Sequence, residues 1–297
     1  MTAAARHAVL LNADDFAMTD GVSRSIEALA YGRRLSATSV MSTMPEWPAS
    51  ALRLRVFRDR IAIGLHLNLT LGAPAGPMPK LAPDGAFPTL NQLMRYALLG
   101  WLSPLEIGGE INRQLDLFEK YLGFPPDHVD GHQHVQVLPV IRAALLDIVA
   151  QRYRSRPPLV RDPSDSLEQV LWRGPAGAKA AVVKALATGF GQGATRRGLT
   201  VNTRFAGFSA FDTAASYQAE ITGELDRGAA RRAGLAVIMC HPGYADAALA
   251  ALDPVVERRQ QEHDGLMQLD ALEDRIWHAN RAADGAPVDW VAEGAGA

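Results

Sequence analysis

The chain of 297 residues is 48% hydrophobic and carries 30 Lys and Arg against 32 Asp and Glu, for a formal net charge of −2. It is long enough to bury the core of one large α/β barrel without dividing into two domains, and its charge balance excludes a global field for nucleic acid or an anionic membrane. Cys240 is the single cysteine, which excludes an internal disulfide framework and a thiolate cluster and leaves nitrogen and oxygen as the ligands for any metal. With no basic and apolar leader at residues 1 to 8, and no uninterrupted run of about 18 apolar residues, a cytoplasmic protein without membrane insertion is expected.

The first predicted element is a buried strand: the apolar run after His7 gives way abruptly to Asn12-Ala13-Asp14-Asp15-Phe16. Thr19-Asp20 can cap a helix with Val22, Ile26 and Leu29 on one face and Gly32 near its end. A second strand is expected within 35–44 and a third over 61–69. In the third, Ile61, Ile63, Leu65, Leu67 and Leu69 share one face, while Ala62, Gly64, His66 and Asn68 share the other. That pattern suits a barrel wall whose apolar side is covered by helices and whose other side ends in a site.

Residues 72–88 are rich in Pro and Gly and predict a long loop, part of an insertion near 72–103, of the kind that serves as a lid or binding loop. Ser103-Pro104-Leu105-Glu106 reads as a capping box, and Ile107, Ile111, Leu115, Phe118 and Leu122 follow at helical spacing until Gly123. After a short segment at 128–135 comes a helix started by Pro139. A less readable region follows from about 155 to 215, with an Ala-rich helix near 176–187. A strand at 235–240 and a charged helical region near 253–283 complete the elements, and the tail beyond Gly294 is expected to fray. Repeated strand and helix units predict an α/β fold with a mostly parallel sheet in one domain over 1–297.

In His128-Val129-Asp130-Gly131-His132-Gln133-His134 four ionisable residues alternate, and an extended backbone would send all of them to one face. A lone buried histidine is usually a hydrogen-bonded core residue, and only the joint pattern points further. Buried together, however, imidazoles and carboxylates cost several kcal/mol per unpaired charge, roughly, unless a cation or a full hydrogen-bond network compensates. A divalent metal on Asp15, His66 and His132 leaves positions open for water and substrate. As strand neighbours, Asp14 and Asp15 should point apart, so Asp14 remains as the base, or else caps the following turn. His241-Pro242-Gly243 ends a strand and can present a proton donor, or can pack on its loop. A Cys240–His241 nucleophilic pair is disfavoured because adjacent strand residues face opposite sides.

Asn12-Ala13-Asp14-Asp15-Phe16, Gly64-Leu65-His66-Leu67-Asn68-Leu69-Thr70, Val129-Asp130-Gly131-His132-Gln133-His134-Val135 and His241-Pro242-Gly243, in this order, resemble the YdjC-like carbohydrate deacetylases. That group includes chitooligosaccharide deacetylases and hopanoid-biosynthesis-associated members. The resemblance implies a distorted, TIM-like (β/α) barrel with one divalent ion, Mg2+ or Zn2+, that hydrolyses the N-acetyl group of an amino sugar or glycoconjugate. By position, it makes Asp15, His66 and His132 the metal ligands, Asp14 the base and His241 the acid. It adds Arg161 near the site, with Asp130 and His134 as supporting or substrate-side groups. Two departures stand out: Gln136 where relatives commonly carry His, and Ala17 where they commonly carry Gly. The rival readings are a metal-dependent phosphoesterase on a barrel and a non-catalytic sugar-binding protein. A homodimer is the default assembly for an enzyme of this size.

Overall fold

Why the strands curl around a common interior follows from their alternation. In the computed structural model, which describes residues 8–164, 177–209, 211–229, 234–279, 287–290 and 293, eight strands carry it. They are β1 (Ala8–Phe16), β2 (Ala37–Val40), β3 (Ala62–Leu67), β4 (His128–Gly131), β5 (Leu159–Val160), β6 (Thr200–Val201), β7 (Arg204–Ala206) and β8 (Leu235–Cys240). All pairings are parallel, in the order β6-β5-β4-β3-β2-β1-β8-β7. Among the described residues β6 and β7 close no ladder with each other, so the sheet is a curled, open barrel.

One face of the sheet packs outward. Val9, Leu11, Ile63, Leu65, Val129, Ala236 and Ile238 join helix residues such as Val22, Ile26, Leu115 and Phe118 in the main core. The opposite face lines the interior, where Leu10, Ala37, Ala62, Leu159, Val237 and Met239 form a second apolar cluster, with Val288 and Trp290 plugging it. Trp290 Nε1 donates to the Asp127 carbonyl and the Val288 N–H to Asp127 Oδ1. The expectation for β3 therefore holds: its large residues face the helices. Its small residues make room inside, since a Cβ on Gly64 would lie 2.3 Å from the His128 ring.

The helices are α1 (Asp20–Tyr31), α2 (Trp47–Leu54), α3 (Leu90–Leu98), α4 (Pro104–Leu122), α5 (Ile141–Arg152), α6 (Gly177–Leu186), α7 (Phe190–Thr195), α8 (Tyr217–Ala229), α9 (Ala247–Leu252) and α10 (Glu257–Gln268). None among the described residues is long and apolar enough to cross a membrane. Ser103 caps α4 as expected, but Glu106 does not complete the box. Its carboxylate accepts instead from the Lys80 and Leu81 N–H groups of the preceding loop. The reciprocal box forms at Thr89 and Gln92, at the start of α3.

The charged region near 253–283 is not one helix. It is α10 followed by a short 3-10 turn at Leu272–Asp274, because Leu269 leaves the helix for extended backbone (ψ 113°) and Ala271 then turns left-handed (φ 52°). Residues 280–283, and the tail beyond Gly294, lie outside the described residues.

Candidate active site

The carboxyl end of β1 carries the site. The pairing with β2 shifts register between Ala13 and Phe16, and Asp15 sits in the left-handed region at φ 68°. This bulge corrects the expectation that Asp14 and Asp15 point apart. Asp14 follows Leu10 and Asn12 on the interior face, and the extra residue swings Asp15 to the same side. Phe16 then returns to the outer core against Trp47.

Asp14 is held at both oxygens. Arg161 donates Nη1 to Oδ1 and Nη2 to Oδ2, each at 2.8 Å, and Asn12 Nδ2 donates to Oδ1 at 2.6 Å. The Arg161 guanidinium also reaches Asp130 Oδ2 at 2.9 Å. Asp130 is the register partner of His66 across β3 and β4, so its Oδ1 lies 2.6 Å from His66 Nδ1, while its Oδ2 accepts from Ser39 Oγ at 2.6 Å. With Nδ1 anchored, His66 turns Nε2 toward Asp15 Oδ1 at 3.2 Å and Asp14 Oδ2 at 3.9 Å.

His128 and Asp130 keep the expected alternation, but His132 and His134 do not, because the strand stops at Gly131. Residues His132–Val137 form a 3-10 segment in which Gln133 and His134 take left-handed backbone (φ 53° and 60°). This turn lays the His132 ring against His66, centroids 5.6 Å apart, with Nδ1 2.8 Å from Asp15 Oδ1. It carries His134 away from that centre, to edge contacts with Phe205 and Phe208 at 5.6 and 5.3 Å, while His134 itself still lines the cavity. Gln136 is fully buried and does not line the cavity. Its amide reaches the Arg161 carbonyl at 3.4 Å, behind the site.

His241 lines the same cavity, of about 490 Å³, as Asp14, Asp15, His66 and His132. Its backbone N–H donates to Glu262 Oε2 at 2.5 Å, and its ring stands 5.8 Å from that of Phe211. The outer walls are aliphatic, from Leu90 and Met94 on α3, Val182, Val183 and Leu186 on α6, and Val255. Residues 72–88, expected as a lid or binding loop, contribute nothing to this lining.

Sequence reasoning missed Arg259, whose Nη2 lies 2.6 Å from Asp15 Oδ2, as well as Asn12, Ser39 and Glu262. The buried face of α10 carries Arg258, Arg259, Glu262 and His263, so no apolar stripe announces that these charges point inward.

Electrostatically the centre is a cluster of three carboxylates. Burial pushes the His66 imidazolium down, but the Asp130 and Asp14 carboxylates outweigh it and raise the ring to about 10. Burial would raise Asp15, yet His132 and Arg259 hold it well below the usual carboxylate range. Asp130 is likewise lowered against burial by Arg161 and His66. A surrounding that favours a positive imidazole also favours a cation. Asp15, His66 and His132 each offer a ligand atom, all within 4.8 Å of one another. His66 has its other nitrogen on a carboxylate, as metal-bound imidazoles do. The residues therefore fit a divalent ion. A second convergent set, Asp14, His66 and Asp130, has its two carboxylates already engaged by Arg161.

The model of the YdjC-like protein family matches residues 8–275. The chain is 33% identical over 140 residues to the chitooligosaccharide deacetylase of Proteus mirabilis, covering 46% of this chain and 54% of that protein. It is 31% identical over 249 residues to the carbohydrate deacetylase of Mus musculus, covering 80% and 78%. The match spans about half the length of the bacterial chitooligosaccharide deacetylases. A crystal structure of an Enterococcus faecalis V583 protein named for cellobiose-phosphate cleavage shares the fold, with a TM-score of 0.71 at 21% identity over 96% of this chain and 98% of that one.

Proposed function

Because the chain belongs to the YdjC-like protein family, we propose that it is a metal-dependent hydrolase that removes the N-acetyl group from an acetylated amino sugar or glycoconjugate. One observation carries this reading: Asp15, His66 and His132 converge beside Asp14, a carboxylate clamped in place by Arg161. Asp15, His66 and His132 would hold one divalent ion, Mg2+ or Zn2+, which when bound supplies Lewis acidity toward an amide carbonyl and water.

The chain's own groups do the proton work. Asp14, fixed by Arg161 and Asn12, takes a proton from the attacking water as its oxygen bonds to the acetyl carbon. His241, on the same cavity, gives a proton to the amine nitrogen as the C–N bond breaks. Acetate and the free amino sugar leave. Asp130 orients His66, and Ser39 and Arg161 orient Asp130. The aliphatic walls exclude water from the centre and meet the CH faces of the substrate. A two-metal phosphoesterase is disfavoured, because Arg161 occupies the carboxylates that a second ion would need. The single buried cysteine suits a reducing cytoplasm.

The test is acetate release from N-acetylated oligosaccharides by protein loaded with Mg2+ or Zn2+. Asp14→Asn is expected to lower kcat by about 100-fold or more, with little change in KM. Full activity in that variant removes Asp14 from the mechanism.

A further inference from the structure

Arg259, which lines the cavity together with Asp253, grips the carboxylate of Asp15. Its Nη2 lies 2.6 Å from Asp15 Oδ2, while Asp15 Oδ1 faces His66 Nε2 at 3.2 Å and His132 Nδ1 at 2.8 Å. The guanidinium is itself anchored by Asp253, whose Oδ2 accepts from Nη2 at 2.5 Å and Nε at 3.0 Å. Arg259 is 3% exposed and Asp15 1%, so water does not compete for these contacts. A carboxylate can bind a cation through one oxygen or through both. An oxygen already accepting a charge-assisted hydrogen bond from a fixed guanidinium is withheld from the cation.

We propose that Arg259 is a positioning residue that confines Asp15 to ligation through Oδ1 alone, keeping a coordination position open for water and the substrate carbonyl. The inference rests on Asp15, His66 and His132 being the metal ligands. Without the guanidinium, Asp15 is free to present both oxygens, and a positive charge leaves the neighbourhood of the ion. The variant site then holds its metal more tightly and works less well. A residue that only propped up the fold would do the reverse, weakening metal binding along with stability.

The experiment titrates Co2+ into metal-free wild type, Arg259→Met, Arg259→Lys and Asp253→Asn. It reads the Kd by calorimetry and the intensity of the visible cobalt bands, which weaken as the coordination number rises. Arg259→Met is expected to bind cobalt about three-fold or more tightly than wild type, with visibly weaker bands, and to release acetate about ten-fold or more slowly at saturating metal. Arg259→Lys, which keeps a cationic donor for Oδ2, is expected to retain the wild-type spectrum. Folded Arg259→Met with an unchanged spectrum, or with weaker binding, overturns the proposal. Should Arg259→Met fail to fold, Asp253→Asn, which loosens the guanidinium without deleting it, must shift the bands in the same direction, and an unaltered spectrum there overturns it too. If wild type binds no cobalt, the metal-site reading itself falls, a failure distinct from cobalt that binds without regard to Arg259.

Discussion

Asp15 and Ala17 bracket Phe16 with left-handed backbone, at φ 68° and 73°, a conformation that costs an L-residue about 1–2 kcal/mol. For Asp15 the strained turn is what aims the carboxylate at His66 and His132, and strain of this kind concentrates at functional sites. Ala17 gains no such contact from its side chain. It is fully buried, and its N–H donates to Ser23 Oγ at 3.0 Å, a bond that glycine would keep. Relief of the left-handed strain exceeds the extra unfolded-state freedom of glycine, which is about 0.4–1 kcal/mol. Loss of the methyl from the main core costs about 0.8 kcal/mol more, so Ala17→Gly is expected to leave stability within roughly 1 kcal/mol of wild type, read as a nearly unchanged urea midpoint with unchanged slope. A clearly lower midpoint would mean that the Ala17 methyl packs more favourably than its backbone is strained. At this scale the sequence was legible wherever a strand stayed regular, as at Asp14, His66 and Asp130. It was not legible where the backbone left that pattern: alternation cannot reveal the bulge that turns Asp15 inward or the 3-10 turn that separates His132 from His134. Arg259 was illegible for a different reason, since a charge on a polar helix carries no local mark of the carboxylate it meets more than 240 residues away in sequence.

Among the elements, α4 was legible from its proline, its spacing and its closing Gly123, and the structure adds what its polar positions do. Glu110 and Gln114 are fully buried on α4. Gln114 bonds both backbone groups of Asn68, two residues beyond His66, accepting from its N–H at 3.0 Å and donating to its carbonyl at 2.7 Å. Glu110 accepts from Gln114 Nε2 and from the Ala75 N–H, each at 2.9 Å, and pairs with Arg113. The loop after β3 is thus tied down by a helix instead of hanging free over the cavity. Such interactions look merely helical in sequence, because their partners are backbone groups of a distant loop. Glu110→Gln keeps the shape but removes the charge that strengthens these bonds, at a cost of about 1.5–3 kcal/mol. Hydrogen exchange is expected to show the Ala75 and Asn68 amides losing about ten-fold or more of their protection, while amides of β1 and β8 change little. Equal loosening throughout would mean that Glu110 supports the whole fold and not this loop.

Across the molecule, the barrel interior changes character along its axis, from the apolar plug around Leu10, Val237 and Trp290 to the charged centre at the carboxyl ends of the strands. Composition fixed the existence of a core, but the inward packing of Trp290 depends on its bond to the Asp127 carbonyl, which no local pattern encodes. Buried charge on this scale makes stability depend on pH. Asp15 and Asp130 have depressed values, so their contribution is present above the normal carboxylate range and is lost as pH falls through their folded values. Glu262 works in the opposite sense. Burial raises its carboxyl from 4.5 to about 7, although the His241 N–H, Arg259 and Arg258 all pull it down. Its contribution is complete below the unfolded value and disappears as pH rises through about 7, where a buried carboxylate must ionise. Between pH 5 and pH 8 that change amounts to about 2–3 kcal/mol of lost stability. Glu262→Gln keeps an acceptor for the His241 N–H and cannot ionise. Its urea stability relative to wild type, measured in chelator, should therefore be about 2–3 kcal/mol more favourable at pH 8 than at pH 5. The same difference at both pH values would show that Glu262 does not titrate in this window and that the neutral-pH limb of stability has another origin.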